Sequence, residues 1–161
     1  MKEKTTFYGI FNLKIYEDEE ARQKGIIKEE LSFFNKMTNA SLAVISGLVG
    51  NTGSQTAFTY LAVGTSTTAV SAAHTALQAE ITDSGLARAS ATITRQTTTQ
   101  TNDTLQLVKT WTVTGTKTIE EIGIFNDASA GTMLARALTG GQAVVNTNVI
   151  TATYKWVAVG N

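Results

Sequence analysis

The sequence predicts a mainly β chain, an antiparallel β-sandwich or jelly-roll-like fold with an N-terminal β-hairpin and one or two short helices. Three observations carry that prediction. Thr occurs 28 times in 161 residues, and its β-branched side chain suits a pleated, half-buried surface better than a helix interior. Apolar residues alternate with polar ones in several short runs, the period of a strand with one buried face. Clusters of Gly, Asn, Asp and Ser punctuate those runs at hairpin spacing. Eight or so antiparallel strands of this kind make two packed sheets or a flattened barrel.

Taken in order, FYGIFNLKIYE (7–17) and GIIKEELSFF (25–34) read as an antiparallel pair joined by the polar loop DEEARQK. TNASLAVISGLVGN follows, with Leu42, Ile45, Leu48 and Val49 at helical spacing, Thr38 or Asn39 as N-cap and Gly50-Asn51 as the stop. Phe58 to Val63 reads as a strand. So does Leu86 to Thr94, where Ala87, Ala89, Ala91 and Ile93 alternate with Arg88, Ser90, Thr92 and Thr94. Between them, Thr75 to Ile81 is expected to form two turns of helix that lay Ala76, Leu77 and Ile81 on a sheet. QTTTQTND is an exposed hairpin tip. Leu105 to Thr114 sets Leu105, Leu107, Trp111 and Val113 on one side, 119–125 and 132–138 flank the turn NDASAG, and 149–159 is the last strand. The expected core comprises Leu105, Leu107, Trp111, Ile122, Ile124, Leu134 and Val157.

Charge divides the chain into a charged N-terminal arm and hairpin (1–37), part of the same fold, and a Thr/Ala-rich body (38–161). Residues 1–37 hold 14 of the 26 charged side chains. With no cysteine, disulfides, thiolate catalysis and cysteine zinc sites are excluded. Thirteen basic and thirteen acidic residues with no Lys/Arg run leave no electrostatic footprint for nucleic acid. Apolar stretches such as Ala40 to Val49 are too short to span a bilayer, and MKEKTTFYG is not followed by a signal-peptide core, so no membrane partner is expected.

Candidate chemistry is sparse. The single histidine, His74, stands in SAAHTAL without a nucleophile motif beside it. Glu120 and Glu121 are strand neighbours that point to opposite faces, so they do not form a glycosidase pair. DEE at 18–20 lacks the alternating ligands and central Gly of a calcium loop. The sequons at Asn39 and Asn102 read as chance matches. Trp111 and Trp156 could stack on sugar rings, but their strand positions suit a core. No enzyme activity, cofactor or metal is expected.

The order of YLAVGTSTTAV, HTALQAEI, LAR and then EIGIFNDASAGTMLARAL resembles a family of tailed-bacteriophage virion structural proteins, from about Phe11 to Val157. Ser66 stands where a second Gly is more usual, and His74 where Asp often stands. The resemblance implies a non-enzymatic subunit assembled in the host bacterial cytoplasm. Most directly this is a capsid decoration or cement protein on the major capsid protein lattice, with a tail, neck or fibre-base part as the alternative. A homotrimer is expected. The charged front, Lys2, Glu3, Lys4, Asp18, Glu19, Glu20, Arg22 and Lys24, is the expected contact with neighbouring virion proteins.

Overall fold

The computed structural model describes residues 6–160. Twelve elements follow one another: β1 (Thr6–Tyr16), α1 (Glu19–Gln23), β2 (Glu29–Phe34), β3 (Lys36–Met37), α2 (Asn39–Gly50), β4 (Tyr60–Gly64), β5 (Ala89–Ser90), β6 (Thr92–Gln96), β7 (Thr104–Thr112), β8 (Lys117–Phe125), β9 (Met133–Val144) and β10 (Val149–Val159). They build two antiparallel five-stranded sheets, ordered β2-β1-β10-β7-β6 and β3-β9-β8-β4-β5.

The chain changes sheets at both edges. A single residue, Asn35, separates β2 from β3, and Ala91 separates β5 from β6. Because β2 and β3 border one side and β5 and β6 the other, these corners bend the sandwich toward a flattened barrel. The expected strand over Leu86 to Thr94 is therefore two short strands in different sheets. Its alternation does not bury one face, and Ala87 and Ile93 are exposed. The two-residue strands β3 and β5 also account for ten strands where eight were expected.

β1 lies inside the first sheet between β2 and β10, and its Phe11, Leu13 and Ile15 are fully buried. They meet Tyr154, Ala152 and Ile150 of β10 in register. Facing them are Leu61, Val63, Ile122, Ile124, Ala135 and Ala137 of the second sheet. Of the expected core, Leu107, Trp111, Ile122, Ile124 and Leu134 join this cluster, Leu105 is half-buried against it, and Val157 is buried outside it.

The polar hairpin tip has a local organiser. The Asp103 carboxylate accepts from the backbone N–H groups of Thr98, Thr99 and Gln100 at 2.7–2.8 Å and from the Thr99 hydroxyl. The Gln100 N–H leads the donors that hold this carboxyl well below the ordinary carboxylate range. A depressed folded-state pKa adds order above the unfolded pKa of about 4 and loses it as pH falls below. The protection of the amides of residues 98–100, taken relative to their intrinsic exchange rates, should therefore fall below about pH 4 in the wild type, whereas in Asp103→Asn this pH-dependent fall should be absent.

Candidate functional site

Three regions gather the residues that chemistry or recognition would use. The first is the outer face of the second sheet, covered by residues 65–88. Here Glu121 of β8 and Arg136 of β9, at 0% and 1% side-chain exposure, form a buried ion pair. Glu121 also accepts from the backbone N–H groups of Gln78 and Ala79 (3.1 and 2.8 Å). Arg136 Nη1 donates to the Thr68 carbonyl (2.8 Å) and approaches His74 Nδ1 at 3.4 Å. Thr75 to Ile81 is irregular rather than helical, because Glu121 binds two N–H groups that a helix would turn back on its own carbonyls. Leu77 and Ile81 are still buried, but Ala76 is exposed.

Glycines permit this cover to sit close. A Cβ on Gly64 would fall 2.5 Å from Glu121 Oε1 and 2.6 Å from the Ala79 carbonyl. On Gly123 it would fall 2.9 Å from Leu77 Cδ2. A second Glu–Arg pair, Glu80 and Arg88, closes the far side of the cover. Arg88 also donates to the carbonyls of Asp127 and Ala130 in the NDASAG turn, and its guanidinium stacks 3.5 Å above the Phe125 ring. The pieces AVGTSTT, HTALQAEI, LAR and EIGIF…TMLAR thus meet in one bracing network, whose polar groups bond to one another and to backbone except Arg136 Nη2, which is buried without a partner.

The second region is the charged corner. Lys2, Glu3 and Lys4 lie outside the described residues. Asp18, Glu19, Glu20, Arg22 and Lys24 form no open loop; they build α1, which Asp18 caps by accepting from Ala21 N–H (2.8 Å). Glu19 takes a two-pronged bond from Arg22 and one from Gln23, and Glu20 pairs with Lys24. The Arg22 guanidinium pushes the Glu19 carboxyl down to about 2. Beside these charges Ile26 and Ile27 stand 60% and 39% exposed.

The third region was not singled out from the sequence. A groove of about 220 Å³ opens between the sheets at the end where α2 lies, lined by Ile45, Leu48, Val49, Ala57, Phe58, Ile93, Leu105, Leu134 and Trp156. Phe7 stacks flat on Trp156, with ring centres 4.8 Å apart, and is half-exposed. The caps of α2 are as expected, Thr38 accepting from Ser41 N–H and Asn51 in the left-handed conformation. Ser41, Val44 and Gly47 are buried and Ile45 packs half-buried against the core, while Leu42, Leu48 and Val49 are exposed. The signal was present in the sequence, since α2 contains no charged residue.

Trp111 is buried, and its Nε1 donates to the Ala87 carbonyl (2.9 Å). Among the described residues no group of His, Asp and Glu is placed to hold a metal, and no helix is long and apolar enough to cross a membrane. Fold and site together define an antiparallel β-sandwich with a braced cover, a charged corner and an apolar end. No family model, curated protein or solved structure matches the chain.

Proposed function

We propose that this chain is a non-enzymatic structural subunit of a tailed-phage virion, a compact capsid decoration or cement protein that binds the major capsid protein lattice as a homotrimer. The observation that carries the reading is the pair of opposed contact ends. β1 leads from Phe7, whose ring covers Trp156, to Tyr16, just before α1, so the apolar end and the charged corner terminate the same long strand. Ile26 and Ile27 within a rim of both charge signs have the make-up of a docking patch, apolar at its centre and polar around it. The residues that resemble the virion family support a building role, because they are used to brace one sheet and its cover. Copies per particle, counted by quantitative mass spectrometry, test it: hundreds indicate capsid decoration, and a small multiple of three or six indicates the tail, neck or fibre-base alternative. Absence from purified particles would refute both.

In this reading the charged corner meets a neighbouring virion protein. Rim charges steer association and are screened by salt. Reversing Glu19 and Glu20 to Lys should weaken rebinding to particles that lack the protein, most at low salt. The reversal also breaks the Glu19–Arg22 and Glu20–Lys24 pairs and puts positive charge at the start of α1, so α1 should loosen while the melting temperature of the sandwich stays close to that of the wild type. Unchanged occupancy would move the docking surface elsewhere on the sandwich.

A further inference from the structure

We infer that copies of this chain join one another through the face made by α2 and the apolar groove beside it. The inference rests on the reading of the chain as a repeated subunit and names the surface that does the joining. A helix that is apolar on every side belongs in an interior. Yet α2, with no charge from Asn39 to Gly50, leaves Leu42 57% and Val49 85% exposed while Ser41, Val44 and Gly47 are buried. Its outer stripe forms a ridge, and the groove floored by Leu105, Leu134 and Trp156 runs alongside.

A second copy is the occupant that these features fit. Ridge and groove lie on the same subunit and are both uncharged, so seating the ridge of one copy in the groove of the next brings no like charges together. On β6, which borders the groove through Ile93, the one charged residue is Arg95, and its Nη2 already donates to the Asn102 carbonyl. The exposed parts of Phe7, Leu42, Leu48, Val49 and Ile93 amount to roughly 500 Å², near the upper end of what a monomer leaves in water as one patch. With a polar rim this approaches the ~800 Å² per partner of a stable complex. Leu48 and Val49 wall the groove as well as forming the ridge, so each copy offers its neighbour one continuous apolar patch.

Sedimentation velocity of wild type, Val49→Lys and Leu42→Lys/Val49→Lys tests the inference. Both positions are exposed; a lysine at 49, in the last turn of α2, suits the helix dipole and one at 42, in the first turn, opposes it weakly, so circular dichroism should be unchanged and the melting temperature of the double variant only slightly lowered. Wild type should be oligomeric at tens of micromolar. The double variant should associate about 100-fold more weakly, and Glu19→Lys/Glu20→Lys, altered at the other end, should assemble like wild type. Wild type that stays monomeric at several hundred micromolar, or an oligomer that survives the double substitution, would overturn the inference. An oligomer dissolved by the lysines but carried by no particle would uphold this surface and refute the virion reading. A particle-borne chain that is monomeric in solution would do the reverse.

Discussion

Arg136→Ala should lower the unfolding free energy by about 3–5 kcal/mol, because it leaves the fully buried Glu121 carboxylate without its counter-charge. The loss should concentrate in the cover. Arg136 ties β9 to the Thr68 carbonyl, and Glu121 ties β8 to the N–H groups of Gln78 and Ala79. Amide exchange at residues 77–81 should therefore rise before that of β1 or β10. Glu121→Ala should be at least as damaging, since it strands the buried guanidinium and also removes the acceptor of two part-buried N–H groups. Glu121→Leu combined with Arg136→Met removes both charges, and replacing a whole buried pair by apolar residues is often close to neutral. Here the rescue should be partial, because Gln78 and Ala79 still lack an acceptor. Chemical unfolding of the four proteins checks this; a cost below about 1 kcal/mol for Arg136→Ala would mean that the brace contributes little.

The strands with clean alternation and clear turns were legible in the sequence. β10 runs from Val149 to Val159 as expected, and the NDASAG hairpin sets Phe125 against Met133 and Ile124 against Ala135. What misled was packing that depends on distant partners. α2 turns Ser41, Val44 and Gly47 inward, and at Gly47 the returning loop 52–55 leaves no room for a larger residue. A Cβ on Gly47 would lie 2.9 Å from the Thr52 carbonyl and would collide with Gln55. The helical spacing of Leu42, Ile45, Leu48 and Val49 was real, but of the four only Ile45 packs against the core, while Leu42, Leu48 and Val49 are exposed. Thr75 to Ile81 has a helical apolar pattern that yields to Glu121, a residue far along the chain, and no local signal announces that competition. The loop from Asp18 is the converse case: Asp followed by Glu-Glu at a helix start and Arg in its last turn was a capping signal, read instead as a solvated turn.

Trp111→Ala should cost about 3–5 kcal/mol, the range for removing a large aromatic from a packed interior. Trp111 is 4% exposed, pairs with Ile150 across the β7–β10 ladder and belongs to the central cluster with Leu107 and Val113. Its indole N–H donates to the Ala87 carbonyl and so pins the end of the cover to the first sheet. Trp111→Phe separates the two contributions. It keeps most of the ring and loses the hydrogen bond, which contributes about 0.5–1.5 kcal/mol net, so it should be several-fold milder than the alanine. The comparison also weighs the sugar-binding alternative. A tryptophan that stacks on a glycan stands in water, and its loss abolishes binding while leaving the melting temperature almost unchanged. A tryptophan that joins two sheets shows the opposite pattern. If Trp111→Ala altered stability by less than about 1 kcal/mol and removed affinity for an immobilised glycan, the carbohydrate reading would displace the structural one. A large loss of stability with no glycan retained by either wild type or variant leaves Trp111 to the core, and Trp156, stacked beneath Phe7, to the wall of the groove.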